Sequence, residues 1–225
     1  MEKGERVGKL MRRDVAKVAI AVQSELFMVT PYLIPGDEGT KMFKDLHKRN
    51  VCVRILPNSL ESSTVLLTQS SCMNYRVPLL ETGVELYEVR SLLGSTRCSG
   101  QTKAITRYVN YSLHAKLFVF DRKRLFIGSM NFDQRSMRLN TEIGLIIDSP
   151  KLARQIATRF YAMVQPINSY EVMLRQSDAA EGSPRLAWRT QEYGKLVEFA
   201  TEPARSDLQK GVVNLLSILP LDDEL

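Results

Sequence analysis

The chain has 225 residues, enough for one domain or one domain with an appendage, and its 44% hydrophobic content supports a packed core. No run of about 18 uninterrupted apolar residues exists, which excludes a spanning helix, and the start Met1-Glu-Lys-Gly-Glu-Arg-Val-Gly-Lys9 lacks the apolar segment of a signal peptide. With 31 basic and 25 acidic residues the net charge is +6, which suits polyanions or anionic membrane surfaces and equally suits a solubilising surface excess.

Periodicity gives the elements in chain order. Glu5 to Gln23 is a helix with Leu10, Val15, Val18 and Val22 on one stripe, and Glu25 to Thr30 is a strand. Thr40 to Lys48 is a helix and Val51 to Leu56 a strand. Ser59 to Gly83 holds one or two helices bent near Pro78, and Val84 to Val89 is a strand. This alternation indicates parallel βαβ units in an α/β sandwich. Arg90 to Tyr111 reads as a loop whose Arg90, Arg97, Lys103 and Arg107 either meet phosphate groups or are merely solvated. Leu113 to Phe120 is rich in apolar and aromatic residues and reads as a strand, Asp121 to Arg124 as a turn, and Leu125 to Ile127 as the return strand. Ile143 to Ile147 is a third apolar strand and Pro150 to Val164 a helix. Residues 1–175 thus form the main domain. Residues 176–225 form a linker, a hairpin (Arg185 to Arg189 and Lys195 to Ala200) and a helix from Leu208 to Leu219, packing on it.

The chemistry concentrates around His114. His114 and Lys116 are two apart, so on a strand both side chains face one way. Asp121 has the opposite parity and suits hydrogen bonding within its turn better than phosphate contact. The hairpin delivers Gly128-Ser129-Met130-Asn131 to the same sheet end, and Glu142 opens the next strand. A phosphodiester repels nucleophiles unless cations and donors neutralise its oxygens. Lys116 supplies a cation, Ser129 and Asn131 supply neutral donors, and an imidazole held at its second nitrogen by Glu142 is a competent nucleophile. Three widely spaced cysteines (Cys52, Cys72, Cys98) with no Cys-x-x-Cys read as free thiols rather than a zinc site, and no metal or cofactor is expected.

The spacing His114-x-Lys116-x4-Asp121-x6-Gly128-Ser129-x-Asn131 resembles the motif of the phospholipase D superfamily, with Glu142 where that family has the glutamate that pairs with its histidine. Val29 to Gly36, Val51 to Ser59, Pro78 to Tyr87, Asn131 to Ser136 and Leu216 to Pro220 resemble segments of the second catalytic half of bacterial cardiolipin-synthase-like members. The resemblance implies an α/β/α sandwich with a mixed, partly parallel sheet, carrying a C-terminal hairpin–helix appendage. It implies a catalytic set of His114, Lys116, Asp121 and Glu142, phosphate binding by Lys116, Ser129 and Asn131, and support from Gly128 and Arg135. The reaction implied is phosphatidyl transfer through a phosphohistidine, without metal, from a phospholipid such as phosphatidylglycerol. It would take place at the surface of a bacterial cytoplasmic membrane. Family members usually carry two such motifs. The other histidine, His47, is followed by Lys48-Arg49-Asn50 in a helix and fits a solvated helix end. The second histidine is therefore expected from another chain, either a homodimer partner or a separate first half. Two alternatives remain open: a homodimeric phosphodiesterase or endonuclease acting on nucleic acid, and an inactive half serving as a binding subunit. Tyr32, after the first strand, either borders the pocket or packs. Arg135 is expected to brace its loop, and Asp133 to be an ordinary turn residue.

Overall fold

The computed structural model describes residues 2–94, 111–175 and 185–218. Arg97, Lys103, Arg107 and Cys98 lie outside them, as do the linker 176–184 and the last seven residues. The elements, in order, are α1 (Glu2–Ile20), β1 (Glu25–Val29), α2 (Gly36–Lys48), β2 (Cys52–Leu56), α3 (Leu66–Asn74), α4 (Arg76–Glu81), β3 (Glu85–Val89), β4 (Leu117–Phe120), β5 (Arg124–Gly128), α5 (Gln134–Arg138), β6 (Gly144–Asp148), α6 (Pro150–Met163), β7 (Ser169–Arg175), β8 (Arg185–Glu192), β9 (Lys195–Phe199) and α7 (Asp207–Leu216). The strands form one sheet in the order β6-β5-β4-β1-β2-β3-β7-β8-β9, parallel only across β1, β2 and β3 and antiparallel elsewhere. This is the mixed sheet flanked by helices that the sequence implies.

β1 sits near the middle, and its alternation feeds both layers. Leu26 and Met28 join Val15 and Ala19 of α1, Phe43 and Leu46 of α2 and Leu79 of α4 in one core. Phe27 points the other way, stacking on Phe160 of α6 with ring centroids 5.0 Å apart. α6 starts cleanly because Ser149 caps it, accepting from the Leu152 N–H at 3.3 Å, and Pro150 fills the first turn, where no donor is needed. Its Ala153, Ala157 and Phe160 form the buried stripe, and losing a fully buried ring such as Phe27 costs about 3 kcal/mol or more.

Several expected boundaries move for identifiable reasons. The helical stretch before β3 breaks at Tyr75, three residues before Pro78, because the proline then occupies the first turn of α4 rather than interrupting a helix interior. The strand expected from Leu113 begins at Leu117: the backbone N–H and C=O of Leu113 pair with the Asn58 side chain, not with a neighbouring strand. β6 begins at Gly144, so Ile143 precedes it. β7, unanticipated, pairs with β3 on one side and β8 on the other, so the C-terminal hairpin continues the same sheet. Arg90 is no solvated loop cation. It is 7% exposed, lies over the Tyr170 ring and donates to the Gln191 carbonyl at 2.8 Å. A second buried cluster ties the far side together: Arg76 binds Glu88 at 2.6 Å and also Glu202, while the Trp188 indole donates to Glu88 at 3.0 Å. Among the described residues no helix is long and apolar enough to cross a membrane.

Candidate active site

The parallel strands β1 and β2 end on the same side, and antiparallel pairing brings the start of β4 and the end of β5 to it. Crevices beyond the C-terminal ends of parallel strands are where α/β sheets place their ligands. His114, Lys116, Ser129, Asn131 and Glu142 all meet there.

The Lys116 side chain folds back over His114. Its Nζ donates to the His114 carbonyl oxygen at 3.0 Å and lies 3.3 Å from Nδ1 and 3.4 Å from Nε2. His114 is exposed, whereas Lys116 is 8% exposed. Burial lowers the Lys116 pKa from its ordinary value, and the negative charges of Glu142 and Asp133 work against that. The ammonium thus lies against an imidazole and feels the charge of two carboxylates.

Glu142 accepts a hydrogen bond from the Ser129 hydroxyl. The same hydroxyl accepts from the Ile143 N–H at 3.0 Å, while the Ser129 N–H donates to the Ile143 carbonyl at 2.9 Å. The hydrogen bond found at Glu142 is therefore to Ser129. Gly128 makes this closeness possible: it pairs with Gly144 across β5 and β6, and a Cβ there would lie 2.5 Å from the Ile143 carbonyl oxygen.

The loop after β5 alternates its faces. Met130 and Phe132 line an apolar cavity of about 270 Å³ behind the sheet end, together with Met28 and Met42. The carboxamide oxygen of Asn131 is buried and has no partner among the described residues, and the amide hydrogen-bonds to Asp133. Asp133 is not an ordinary turn residue. It is 4% exposed, caps α5 by accepting from the Ser136 N–H at 2.6 Å, and has its pKa raised by burial. The loop after β1 holds this segment in place: the Phe132 N–H donates to Thr30 at 3.2 Å and the Ile34 N–H to the Phe132 carbonyl at 2.8 Å. Tyr32, in that loop, has its pKa raised by burial and then by Cys72, and it feels the Asp133 charge. Cys72 is half-buried, and desolvation pushes its thiol up to about 12, away from the reactive thiolate. Arg135 braces its loop, donating to the Asn140 side chain at 3.3 Å. Arg12 of α1 closes the same segment, donating to the carbonyls of Met137 and, at 3.0 Å, Asn140.

Asp121 does not join this group. It lies at the opposite end of β4, where its carboxylate accepts from the backbone N–H groups of Gln23, Ser24 and Glu25 and from the Ser24 hydroxyl, at 2.8–3.2 Å. There it links the β4–β5 turn to the start of β1, apart from the residues gathered around His114. His47 sits exposed in the last turn of α2, which leads into the far end of β2. Among the described residues no three His, Cys, Asp or Glu side chains converge as metal ligands. Two residues escaped the sequence reading: Asp133, as a buried carboxylate facing Lys116, and Asn58, whose only signal was its position just past β2.

A mixed nine-stranded sheet with His-x-Lys, Gly-Ser-x-Asn and a glutamate at one end defines a phospholipase D-like domain. The sequence profile described as "Cardiolipin synthase, PLD-like domain" matches residues 18–164, and the chain belongs to that family. Cardiolipin synthase C of Escherichia coli (strain K12) is 34% identical over 203 residues, covering 87% of this chain and 40% of that protein. An uncharacterised protein of Helicobacter pylori (strain J99 / ATCC 700824) is 27% identical over 198 residues, 88% of this chain and 37% of its own length. The chain thus spans 37–40% of the length of these two relatives. Among solved structures, the phospholipase D family member Nuc from Salmonella typhimurium has a TM-score of 0.50 at 18% identity, covering 67% of this chain and 84% of Nuc. Phosphatidylserine synthase of Haemophilus influenzae Rd KW20 also gives 0.50, at 16% identity, over 69% of this chain and 36% of that one. Both likenesses concern the fold.

Proposed function

We propose that this chain is the second catalytic half of a cardiolipin synthase-like phosphatidyltransferase. The observation that carries the reading is the ammonium of Lys116 within 3.4 Å of both ring nitrogens of His114, beside Ser129 and Glu142. His114 attacks the phosphorus of a phospholipid such as phosphatidylglycerol, a P–N bond forms as the P–O bond to the leaving alcohol breaks, and a histidine of the other half protonates that alcohol. A hydroxyl of a second lipid then attacks that phosphorus, a P–O bond forming as the P–N bond breaks and frees His114, and its proton passes to that same histidine of the other half. Lys116, Ser129 and Asn131 hold the phosphoryl oxygens, and the Asn131 amide turns from Asp133 to do so. Glu142, freed from Ser129 when that hydroxyl turns to phosphate, steadies the imidazolium.

Two features support the need for a second half. Only one of the two histidines lies in a motif, and exposed apolar side chains flank the site. Ile127, Ile143 and Leu145 are 46%, 78% and 64% exposed around β6, the outer strand of the sheet. An anionic bilayer surface at the cytoplasmic membrane suits the +6 charge and the lipid substrate.

The test is transfer on phosphatidylglycerol vesicles by the chain alone and with a separately supplied first half, with DNA as the competing substrate. Trapped phosphorus on His114, lost in His114→Ala with the fold retained, is the expected result. Cleavage of DNA without lipid turnover, with a steep dependence on salt, overturns the lipid reading.

A further inference from the structure

We infer that Asn58 is a positioning residue for His114, an inference that rests on His114 being the reacting group. Asn58 is the second residue after β2 and is 2% exposed. Its carboxamide makes a pair of hydrogen bonds to one residue: Nδ2 donates to the Leu113 carbonyl at 3.0 Å, and Oδ1 accepts from the Leu113 N–H at 2.8 Å. The side chain thus replaces a strand neighbour at the point where β4 has none.

The consequence falls on the next residue. The Leu113 carbonyl belongs to the rigid peptide plane that ends at the His114 N–H. Asn58 fixes that plane. The following plane carries the His114 carbonyl, which Lys116 holds at 3.0 Å. With the planes on both sides of its Cα pinned, His114 has little freedom in φ or ψ, and an exposed side chain keeps a fixed root. Leu113 itself is 6% exposed, so its N–H and C=O have no water to fall back on if the carboxamide is removed.

Asn58 is in turn held by a buried hydroxyl pair. The Ser62 hydroxyl donates to Asn58 Oδ1 at 3.2 Å and accepts from the Ser59 N–H at 2.9 Å, while the Ser62 N–H donates to the Ser59 hydroxyl at 3.2 Å. The same turn is gripped from the C-terminal segment, where Gln209 of α7 donates to the Leu60 carbonyl at 2.8 Å and Arg205 donates to that of Glu61. A carboxamide is the group that fits: it offers one donor and one acceptor side by side at a reach that a hydroxyl lacks, and a carboxylate would face the Leu113 carbonyl without a proton.

The test reads His114 directly and needs no substrate, so it can fail while phosphatidyl transfer stands, and transfer can fail while it holds. The chain has two histidines, and ring-labelled protein gives two sets of imidazole signals, with His47 as the internal reference. In Asn58→Ala, the His114 ring signal shifts or broadens, the His47 signal stays, and the Leu113 amide exchanges at least about tenfold faster. Ser169→Ala, which removes another buried hydroxyl far along the chain, leaves both ring signals in place. Should Asn58→Ala not fold, Ser62→Ala frees the carboxamide from its hydroxyl support and is read in the same way. Superimposable His114 signals and unchanged Leu113 exchange in the folded variant overturn the inference.

Discussion

The Lys116 ammonium lies 3.3 Å from His114 Nδ1 and also feels the negative charge of Glu142. Burial lowers the lysine's pKa below its ordinary 10.5, and Glu142 opposes that shift. A lysine lowered in this way loses its proton earlier as pH rises, so phosphate binding and turnover should fall on the alkaline side before an ordinary lysine would titrate. Removing the Glu142 charge removes the larger of the two opposing influences and leaves that of Asp133. In Glu142→Gln the alkaline limb of the rate profile therefore moves further toward neutral pH, and in Lys116→Ala turnover drops by at least about a hundredfold with that limb gone. Rate profiles of the three proteins on phosphatidylglycerol vesicles check this. An alkaline limb in Glu142→Gln that is unmoved or moves upward would count against the Lys116 assignment.

Asp121 belongs to the family spacing but serves the opposite sheet end. Burial alone would raise its pKa, yet the amides of Gln23, Ser24 and Glu25 and the Ser24 hydroxyl outweigh it and hold the carboxyl below its ordinary 3.8. A depressed carboxyl stabilises the fold fully above the unfolded pKa and loses that contribution as pH falls through the folded one. Asp121→Ala should cost about 2 kcal/mol in urea unfolding at pH 7, with a smaller deficit in strong acid. It should leave turnover at permissive temperature within about twofold of the parent. Complete loss of turnover in a stable Asp121→Ala protein would return this residue to the catalytic set.

The motif was legible because a short hairpin fixes its geometry. Four strand residues on β4, a tight turn at Asp121 and the return along β5 set where Ser129 stands relative to His114, so spacing alone carried the site. The helices other than α5 and the central strands were legible from period, since β1, β2 and β3 sit in two-sided cores. What stayed hidden were pairings made at long range by side chains. Asn58 meets Leu113 at a separation of 55 residues, and Arg90 meets Gln191 at 101, with no local pattern to announce either. β7 was missed for a different reason. Ser169–Arg175 does alternate, with Tyr170 and Val172 in the core, but Glu171 and Arg175 make it read as surface until β8 is placed beside it. The boundary at Leu113 failed because apolar content was taken as strand, when strand requires a partner.

Gly128 faces Gly144 across β5 and β6, and a Cβ would meet backbone at the Ile143 carbonyl oxygen (2.5 Å) and Gly144 Cα (2.8 Å), as well as the Phe126 ring at 2.8 Å. Backbone cannot swing aside as a side chain end can. Gly128→Ala should therefore push β6 outward, cost about 1–3 kcal/mol in thermal or urea unfolding, and separate Ser129 from Glu142. Turnover falls more than stability alone explains, measured well below the unfolding transition. A variant as stable and active as the parent would mean that the β5–β6 contact is looser than this geometry allows.

Leu145 stands opposite Ile127 on β5, and Ile143 lies two residues earlier, so the three share one face beside the site. In a lone chain a lysine at Ile143 or Leu145 replaces one exposed side chain by another, and stability should change by no more than about 0.5 kcal/mol. In a complex that covers this face, the same lysine is buried without a partner, at a cost of several kcal/mol, or roughly a hundredfold or more in dissociation constant. Ile143→Lys and Leu145→Lys should thus leave unfolding untouched while weakening association with a first half or a second copy, and restored phosphatidyl transfer should fall in parallel. Sedimentation across a range of concentrations, with and without the first half, separates the two partners. If both variants associate and complement as the parent does, the catalytic partner approaches His114 from some other side.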